Sequence, residues 1–392
     1  MRPLQEIVRD RLFRLKDYCE QEGYRGWDPY DGLTSRIFQA IPLIRNSRFF
    51  RLVWIQLFKR NPLNLRRFAL IEKSYNPKGL GLFLSGTCNL YHLDPAPEAL
   101  ATIRFLTDKI ISLKTKGYSG SCWGYNFDWQ SRAFFQPAYS PTVVVTSYIG
   151  SALADAYEIT KDKTILKELI SIADFILQDL NRTYDSQGNF AFSYSPQDKT
   201  TVYNASLHGS RILARIYSYT REQRLIGEAR RSVQFCIERQ HDDGSWTYGT
   251  LPHHQWIDSF HTGFNLECLQ EYQKYSGDRS VIPSIEKGLN YYLTNFFTTE
   301  GNSKYYNDKI WPIDVHAPAQ LIVTLSKLNQ LEKYTELMDK VLSQTFEHLS
   351  NGVGYFYYQR SKYFTNKIPY MRWSQAWMFY ALSEYLRNAD TE

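Results

Sequence analysis

Apolar residues recur every three or four positions along most of the chain, which is the period of a helix with one buried face. Alternation of apolar and polar residues never extends beyond what a short hairpin of strands would need. The sequence therefore predicts an all-α protein. Helices are expected over 2–21, 31–44, 48–60, 95–115, 141–160, 162–181, 203–220, 222–240, 259–276, 280–297, 315–329, 331–348 and 371–387, with a weaker candidate over 78–92.

The predicted helices alternate between two kinds. One kind carries many charges on one face, as expected for helices that contact water, and comprises 162–181, 222–240, 280–297 and 331–348. The other kind has small residues and few charges in its first half, as expected for enclosed helices, and begins near residues 141, 203, 259, 315 and 371. These starts are about 55 to 62 residues apart, which is the signature of an internal repeat.

Repeated helical hairpins bury their apolar faces by stacking on one another, and a ring of inner helices enclosed by outer helices closes the stack. We therefore expect an α/α toroid (barrel) of six or seven helical hairpins. The chain, 1–392, is expected to form a single domain, with N-terminal hairpins in 1–92 and regular hairpin repeats in 93–392. The stretch YRGWDPYDGLTSRIFQAI, residues 24–41, is expected to begin one more inner helix.

The formal net charge is +6, from 46 basic and 40 acidic residues that are interspersed along the chain. Because a nucleic-acid-binding protein collects Lys and Arg on one face, no nucleic-acid partner is expected. A solvated helix face explains the locally basic N-terminal segment, and peripheral contact with a membrane surface or an acidic polymer is the alternative. The basic residues of this segment are Arg45, Arg48, Arg51, Lys59, Arg60, Arg66 and Arg67.

Five cysteines are spread along the chain without a CxxC pair, which argues against a disulfide framework and against a cysteine-based zinc site. The N-terminal stretch lacks the uncharged apolar block of a signal peptide, and no apolar run is long enough to span a membrane. We therefore expect a cytoplasmic protein. No HExxH, GxGxxG or Walker motif occurs in a suitable context, so neither a metal nor a cofactor is expected.

Aromatic residues make up 16% of the chain, and Tyr and Trp combine a flat apolar face with a polar group. In a toroid, the loops before the inner helices meet at one end of the ring, so the first turns of these helices would line a funnel. The side chains at those positions are typical of a carbohydrate cleft. The candidate substrate-binding residues are Trp123, Tyr125, Trp129, Gln130, Tyr203, Asn204, Trp246, His316, Arg372, Trp373 and Gln375.

Carboxylates at the same positions suggest glycoside cleavage, which needs one protonated and one ionised carboxyl group across the bond. The expected acid/base pair is Asp258 and Asp314, with Asp128 in reserve. His261 is a further catalytic candidate. An aspartate just before a helix is also a common N-cap, so a structural role stays open for Asp258 and Asp314 as well.

Three alternative functions are consistent with a toroid of this kind. A uronate lyase or C5-epimerase would use a base such as Tyr125, Tyr203 or His261, with Asn204 and Arg372 neutralising the carboxylate. A non-catalytic toroid would bind glycan within a polysaccharide-synthesis complex. A terpenoid enzyme would need an apolar cavity without these polar groups. An enzyme acting on an oligosaccharide or polysaccharide, of glycoside hydrolase type, is the preferred interpretation.

Two resemblances bear on this interpretation. QHDDGSW, residues 240–246, is similar to the Q-x-x-D-G-S-W repeat of squalene-cyclase-type terpenoid cyclases, which are also α/α toroids, but the D-x-D-D acid motif of that family is missing. The region 25–387 resembles the six-hairpin glycosidase-like proteins of bacterial extracellular-polysaccharide biosynthesis and, more distantly, glucuronyl C5-epimerases. This resemblance implies a saccharide substrate. The stretches that carry it are GWDPYDGL, CWGYNFDWQSR, DSFHTGFNLECL, WPIDVHAPAQ and RWSQAWMFYAL.

Overall fold

Helices dominate the computed structural model, which describes residues 3–130 and 135–389. The helices are α1 Pro3–Gln21, α2 Arg36–Gln39, α3 Pro42–Arg45, α4 Arg48–Arg60, α5 Pro77–Leu93, α6 Pro97–Ser112, α7 Val143–Thr160, α8 Lys163–Asp174, α9 Tyr203–Thr220, α10 Gln223–Ile237, α11 Ser259–Ser276, α12 Ile282–Phe296, α13 His316–Lys327, α14 Thr335–His348 and α15 Trp377–Ala389. Short 3₁₀ turns are Asp31–Thr34, Pro252–His254 and Arg279–Val281, and π-helical turns are Phe175–Asp179 and Met371–Ala376.

Short antiparallel strand pairs order several of the long loops that precede inner helices. No strand in the described residues exceeds three residues, which agrees with the lack of long alternating patterns. β1 Trp129–Gln130 pairs with β2 Phe135–Gln136, β3 Arg182–Tyr184 pairs with β4 Phe190–Phe192, and β5 Ile313–Asp314 pairs with β6 Gln359–Arg360, which also pairs with β7 Thr365–Asn366.

The inner helices form a closed ring in which each helix packs against two neighbours. In the described part of the chain this ring contains six helices, in the order α5, α7, α9, α11, α13 and α15, and α15 packs against α5. The outer helices α6, α8, α10, α12 and α14 each pack against the inner helix that precedes them, and α1 packs against α15. The fold is an α/α toroid of six hairpins, which confirms the predicted fold class.

The sixth inner helix is α5, so the predicted inner-helix start in 24–41 is wrong. That stretch forms the turn Asp31–Thr34 and the short α2 instead. Gly32 lies within the turn and is unfavourable for a continuous helix. Ser35 then starts α2, because its Oγ accepts a hydrogen bond from the backbone N of Phe38 at 3.2 Å. A broken connection therefore replaces the long helix expected there.

The periodicity of α5 is weak in the sequence because the helix is buried on every side. Its residues from Pro77 to Leu90 are all buried, and Lys78 is the only charged residue among them. A helix enclosed all round has no polar face to mark its period. Its glycines allow close packing, since a Cβ at Gly86 would lie 2.6 Å from the ring of Phe379 on α15.

Buried ion pairs link neighbouring inner helices beyond their first turns. The Nη1 atom of Arg211 on α9 lies 2.6 Å from Oε1 of Glu267 on α11, and its Nε atom lies 3.3 Å from Oε2 of Glu271. On the other side of the ring, Lys327 Nζ on α13 lies 3.0 Å from Oε1 of Glu384 on α15. These pairs join neighbouring inner helices at positions further along the helices than their first turns.

Candidate functional site

Aromatic rings from several inner helices meet where those helices begin. The ring of Phe260 on α11 stacks on His316 of α13 at 4.8 Å between centroids and lies 5.8 Å from Trp373. Phe264, one turn further along α11, lies 5.9 Å from Tyr148 on α7. The first turns of the inner helices therefore converge on one end of the ring, as the repeat predicts. We call this end of the ring the funnel.

An aspartate–histidine pair opens helix α11 in the funnel. Asp258 is the N-cap residue, and its Oδ1 accepts a hydrogen bond from the backbone N of His261 at 2.8 Å. Its Oδ2 lies 2.7 Å from Nδ1 of the same imidazole. The Asp258 side chain is fully buried, whereas that of His261 is 23% exposed. When Nδ1 donates to this carboxylate, the neutral form of the imidazole has its lone pair on Nε2.

Aromatic faces surround the imidazole of this pair. The ring centroid of His261 lies 4.9 Å from that of Tyr248, 5.4 Å from that of Trp256 and 5.1 Å from that of Phe260. Tyr248 and Trp256 are stacked on each other at 4.3 Å. Flat, partly exposed rings beside a polar group are typical of surfaces that bind a sugar ring. The imidazole of His261 is therefore bordered by rings of the kind that bind a sugar.

Asp314 is held by three donors and is fully buried. Its Oδ1 accepts hydrogen bonds from the backbone N of His316 and from Nε1 of Trp373, both at 2.9 Å, and its Oδ2 accepts one from Nε2 of Gln359 at 3.1 Å. Burial raises the pKa of Asp314 to about 6, although the hydrogen bonds from His316 and Trp373 act in the opposite direction. Asp314 thereby fixes Trp373 in the funnel.

The substitution Asp314→Asn should remove part of the pH dependence of stability. A folded pKa of about 6 against an ordinary value of 3.8 means that Asp314 favours folding below about pH 4 and that this contribution is lost as the pH rises to 6. The free energy of unfolding of the wild type relative to the variant should fall by about 2 kcal/mol from pH 4 to pH 7. Urea unfolding at four pH values measures it, and Asp308→Asn, in an exposed position, is the control. A pH-independent difference would contradict this assignment.

Buried polar side chains surround Phe264 deeper in the ring. The imidazoles of His208, His261 and His316 lie 5.7, 5.6 and 5.6 Å from its ring centroid. Both ring nitrogens of His316, Nε2 of His208 and the hydroxyl of Tyr148 are buried without a hydrogen-bond partner among the described residues. Because buried polar groups are nearly always paired in proteins, these unpaired atoms indicate a place for a polar ligand or ordered water.

Lys78 completes this group, which we call the floor cluster: Lys78, Tyr148, His208 and His316. Its Nζ lies 4.2 Å from the ring centroid of Tyr148, and within residues 3–130 and 135–389 no carboxylate reaches ion-pair distance. Burial, with a smaller effect from Arg372, lowers the pKa of Lys78 well below its ordinary value. Burial likewise lowers the pKa values of His208 and His316, so both imidazoles are neutral and each can donate one hydrogen bond and accept another.

Arg372 forms part of the funnel rim together with Tyr125. Its Nε and Nη2 atoms donate to the two carboxylate oxygens of Asp28 at 2.5 and 2.8 Å, and its guanidinium carbon lies 5.0 Å from the Tyr125 ring centroid. The charge of Arg372 is therefore neutralised within the protein. A polar cleft of about 220 Å³ adjoins this pair, and its lining includes Asp28, Arg36, Glu72, Asn76, Asn126 and Arg372.

In the loop that leads to α7, both carboxylate oxygens of Asp128 accept hydrogen bonds from the protein itself. Its Oδ1 accepts a hydrogen bond from the backbone N of Ala138 at 2.8 Å, and its Oδ2 accepts one from Nε2 of Gln39 at 3.4 Å. Gln130, two residues later, accepts a hydrogen bond from Nε of Arg51 at 2.9 Å. Both side chains tie the loop to the N-terminal segment. The end of the CWGYNFDWQSR stretch, 131–132, lies outside the described residues.

Trp123 and Trp246 are core residues that the structure does not bring into the funnel. Trp123 is fully buried and its Nε1 donates to the backbone O of Ile110 at 2.8 Å. Trp246 is also buried, and its Nε1 donates to the backbone O of Cys236 at 3.0 Å. Neither ring has a free face on which a sugar could stack. Trp246 is the last residue of QHDDGSW, so this stretch joins a loop to an outer helix.

The remaining predicted residues divide between core and funnel. Gln375 is buried and bonds the backbone of Phe356 through both its Nε2 and Oε1 atoms, which is a structural role. The backbone O of Tyr203 lies 3.8 Å from Sγ of Cys236, so this residue packs toward the outer helix α10. The Oδ1 atom of Asn204, by contrast, is buried without a partner among the described residues.

Sequence reasoning missed three members of the floor cluster, Lys78, Tyr148 and His208. The signal for Lys78 was a single charge in the otherwise uncharged first turns of a glycine-rich apolar stretch. The signal for His208 was an imidazole among the small residues of an inner helix. Across the described ranges, no three His, Cys, Asp or Glu side chains converge in an arrangement that could hold a metal ion.

Comparisons by sequence give no match, either to a protein-family model or to a curated protein. Solved structures do match. The cellobiose 2-epimerase from Spirochaeta thermophila superposes with a TM-score of 0.62 at 13% identity, over 81% of this chain and 86% of that one. An unsaturated glucuronyl hydrolase specific for heparin gives 0.60 at 13% identity, over 82% and 88%. The GH76 α-mannanase from Bacteroides thetaiotaomicron gives 0.62 at 13%, over 82% and 87%.

At this level of identity the comparisons establish the fold. The chain has the six-hairpin α/α-toroid architecture of these proteins, and the match extends over most of both chains. The resemblance to six-hairpin glycosidase-like toroids is therefore confirmed at the level of fold.

Proposed function

We propose that this protein is an enzyme that acts on an oligosaccharide or polysaccharide and moves a proton at a sugar carbon, as an epimerase, isomerase or lyase does. The observation that carries the proposal is the pairing of Asp258 with His261. This pairing occupies both carboxylate oxygens inside the protein and leaves Nε2 of His261 as the proton acceptor in the funnel. His261 is the general base, and Asp258 is the positioning residue that sets its tautomer.

The floor cluster supports proton transfer. Proton abstraction beside a carbonyl or carboxylate needs a base together with groups that stabilise the negative charge on oxygen. Candidates for these groups lie next to two aromatic rings. The neutral imidazoles of His208 and His316 contact Phe264, and the amine of Lys78 contacts Tyr148. We infer that they donate hydrogen bonds to substrate oxygens, which stabilises the negative charge that develops there. The aromatic pair of Tyr248 and Trp256 would hold the sugar ring.

Glycoside hydrolysis by Asp258 and Asp314 is the second candidate. The raised pKa of Asp314, about 6, is the property expected of a proton donor in glycoside cleavage. Against this role, three donors already occupy its two oxygens. Asp128, the third carboxylate, is also hydrogen-bonded within the protein. The arrangement therefore favours proton transfer by His261 over hydrolysis by paired carboxylates.

Proteins with the same fold support a carbohydrate substrate, since matching structures include a cellobiose 2-epimerase, a glucuronyl hydrolase and a mannanase. The neutralisation of Arg372 by Asp28 weighs against its use as a receptor for a uronate carboxylate. We therefore place a neutral saccharide ahead of a uronate as substrate. A cytoplasmic location is also proposed, and it is supported by five cysteines that are all buried and unpaired.

The test is incubation of the protein in D₂O with a panel of reducing disaccharides, monosaccharides and uronate-containing oligosaccharides, followed by NMR and mass spectrometry. Incorporation of deuterium at a carbon-bound position, with an epimeric or isomeric product, is the expected result. New reducing ends without exchange would replace the proposal with hydrolysis. Binding without any product would make the funnel a glycan receptor.

A further inference from the structure

The segment 36–71 differs in charge from the rest of the protein. It contains eight of the 46 Lys and Arg residues and none of the 40 Asp and Glu residues, which leaves 38 basic and 40 acidic residues elsewhere. The net positive charge of the protein therefore comes from this segment. It includes α2, α3, α4 and the connection to α5.

One face of α4 in this segment is apolar and uncovered. Phe49, Phe50, Val53 and Leu57 follow the spacing of a single helical face, and they are 67%, 45%, 47% and 45% exposed. The rings of Phe49 and Phe50 contact each other at 5.5 Å between centroids. Single exposed apolar residues are ordinary on protein surfaces, but a contiguous group of this kind marks an interaction site.

The residues that precede and follow α4 in the sequence add further exposed side chains, some apolar and some basic. We call the whole set, together with the apolar face of α4, the docking surface. Its flanking apolar members, of which Leu43 is 87% and Phe68 is 81% exposed, are Ile41, Leu43, Leu63, Phe68 and Leu70. Its exposed basic members include Arg45, Arg48, Arg60 and Arg67.

Side chains next to this apolar face anchor α4 to the toroid. Trp54 Nε1 donates to the backbone O of Gly32 at 3.0 Å, and Lys59 Nζ donates to the hydroxyl of Tyr30 at 2.8 Å. The ring of Tyr30 lies 5.7 Å from Trp373 in the funnel. Therefore the outward face of α4 contributes little to the core, and the docking surface lies beside the funnel.

We propose that the docking surface binds a membrane surface that contains anionic lipids. An amphipathic helix with an apolar face and flanking arginines lies in the headgroup region with its apolar side chains inserted. Basic side chains near such a surface are attracted to anionic headgroups. No helix in the described residues is long and apolar enough to cross a membrane. Pairing with a second copy would instead bring two basic surfaces together.

The experiment is sedimentation of the full chain with phosphatidylcholine vesicles that contain or lack phosphatidylserine. Phe49→Ser/Phe50→Ser should lower binding to the anionic vesicles by at least about tenfold, because two inserted rings are lost. The matched control is Val353→Ser/Tyr184→Ser, which changes two side chains outside the segment that are 71% and 54% exposed. This control should bind as the wild type does.

A second pair of variants tests the charge without touching an apolar residue. Arg60→Glu/Arg67→Glu should also lower binding to anionic vesicles by at least about tenfold, whereas Lys163→Glu/Arg224→Glu, on exposed outer helices, should have little effect. Circular dichroism verifies the fold of each variant. Equal binding to neutral vesicles, no vesicle binding by the wild type, or self-association that the phenylalanine variant abolishes without vesicle binding would each overturn the proposal.

Discussion

His261→Ala should lower turnover by at least about a hundredfold, the usual contribution of a general base, while the chain stays folded at the assay temperature. The variant removes Nε2, the proton acceptor that the Asp258 carboxylate orients in the funnel. The backbone N of residue 261 still donates to Oδ1 of Asp258, so the helix cap persists. Turnover is measured by deuterium exchange on the substrate that the panel identifies, and stability by thermal unfolding.

Two controls separate this role from a structural one. His253→Ala removes an exposed imidazole from the preceding loop and should leave turnover close to that of the wild type. Added imidazole should restore part of the activity of His261→Ala, because it can occupy the space of the missing ring. Full activity in His261→Ala, or a loss of activity matched by a loss of folding, would remove His261 from the mechanism.

Arg211→Met should destabilise the fold by about 3 to 5 kcal/mol, since it leaves buried carboxylates without their partner. The side chains of Arg211, Glu267 and Glu271 are 1%, 2% and 8% exposed, and together they join α9 to α11. The guanidinium also lies 4.9 Å from the ring of Tyr148 in the floor cluster. Urea unfolding at pH 7 measures the change in the free energy of unfolding.

The expected rescue identifies the cause of this loss. Adding Glu267→Gln and Glu271→Gln to Arg211→Met removes both uncompensated charges and should recover much of the stability. Arg224→Met, on the exposed face of the adjacent outer helix α10, should change stability by less than about 0.5 kcal/mol. A small effect of Arg211→Met itself would mean that the network does not hold the two inner helices together.

Local sequence signals were sufficient for part of the candidate site. Asp258 and His261 are three residues apart at a helix start, so an N-cap that also contacts the imidazole is a local arrangement. The sequence supported both a capping and a catalytic role for Asp258, and the structure establishes the cap. The partners of Asp314, by contrast, are Gln359 and Trp373, which lie 45 and 59 residues away. Spacing along the chain could not indicate that these donors occupy its oxygens.

The alternation of charged and uncharged helices predicts the toroid, because the positions of charged residues on a helix indicate which of its faces contacts water. Helix α5, which carries Lys78, has no such pattern of charged residues, because it is buried throughout most of its length. No local pattern indicates the floor cluster either, since Lys78, Tyr148 and His208 lie on three different helices. Hydrophobic periodicity reports the burial of one face, and it therefore specifies the ring. The contents of the funnel depend on how the six inner helices are rotated against one another, which only their packing in the closed ring sets.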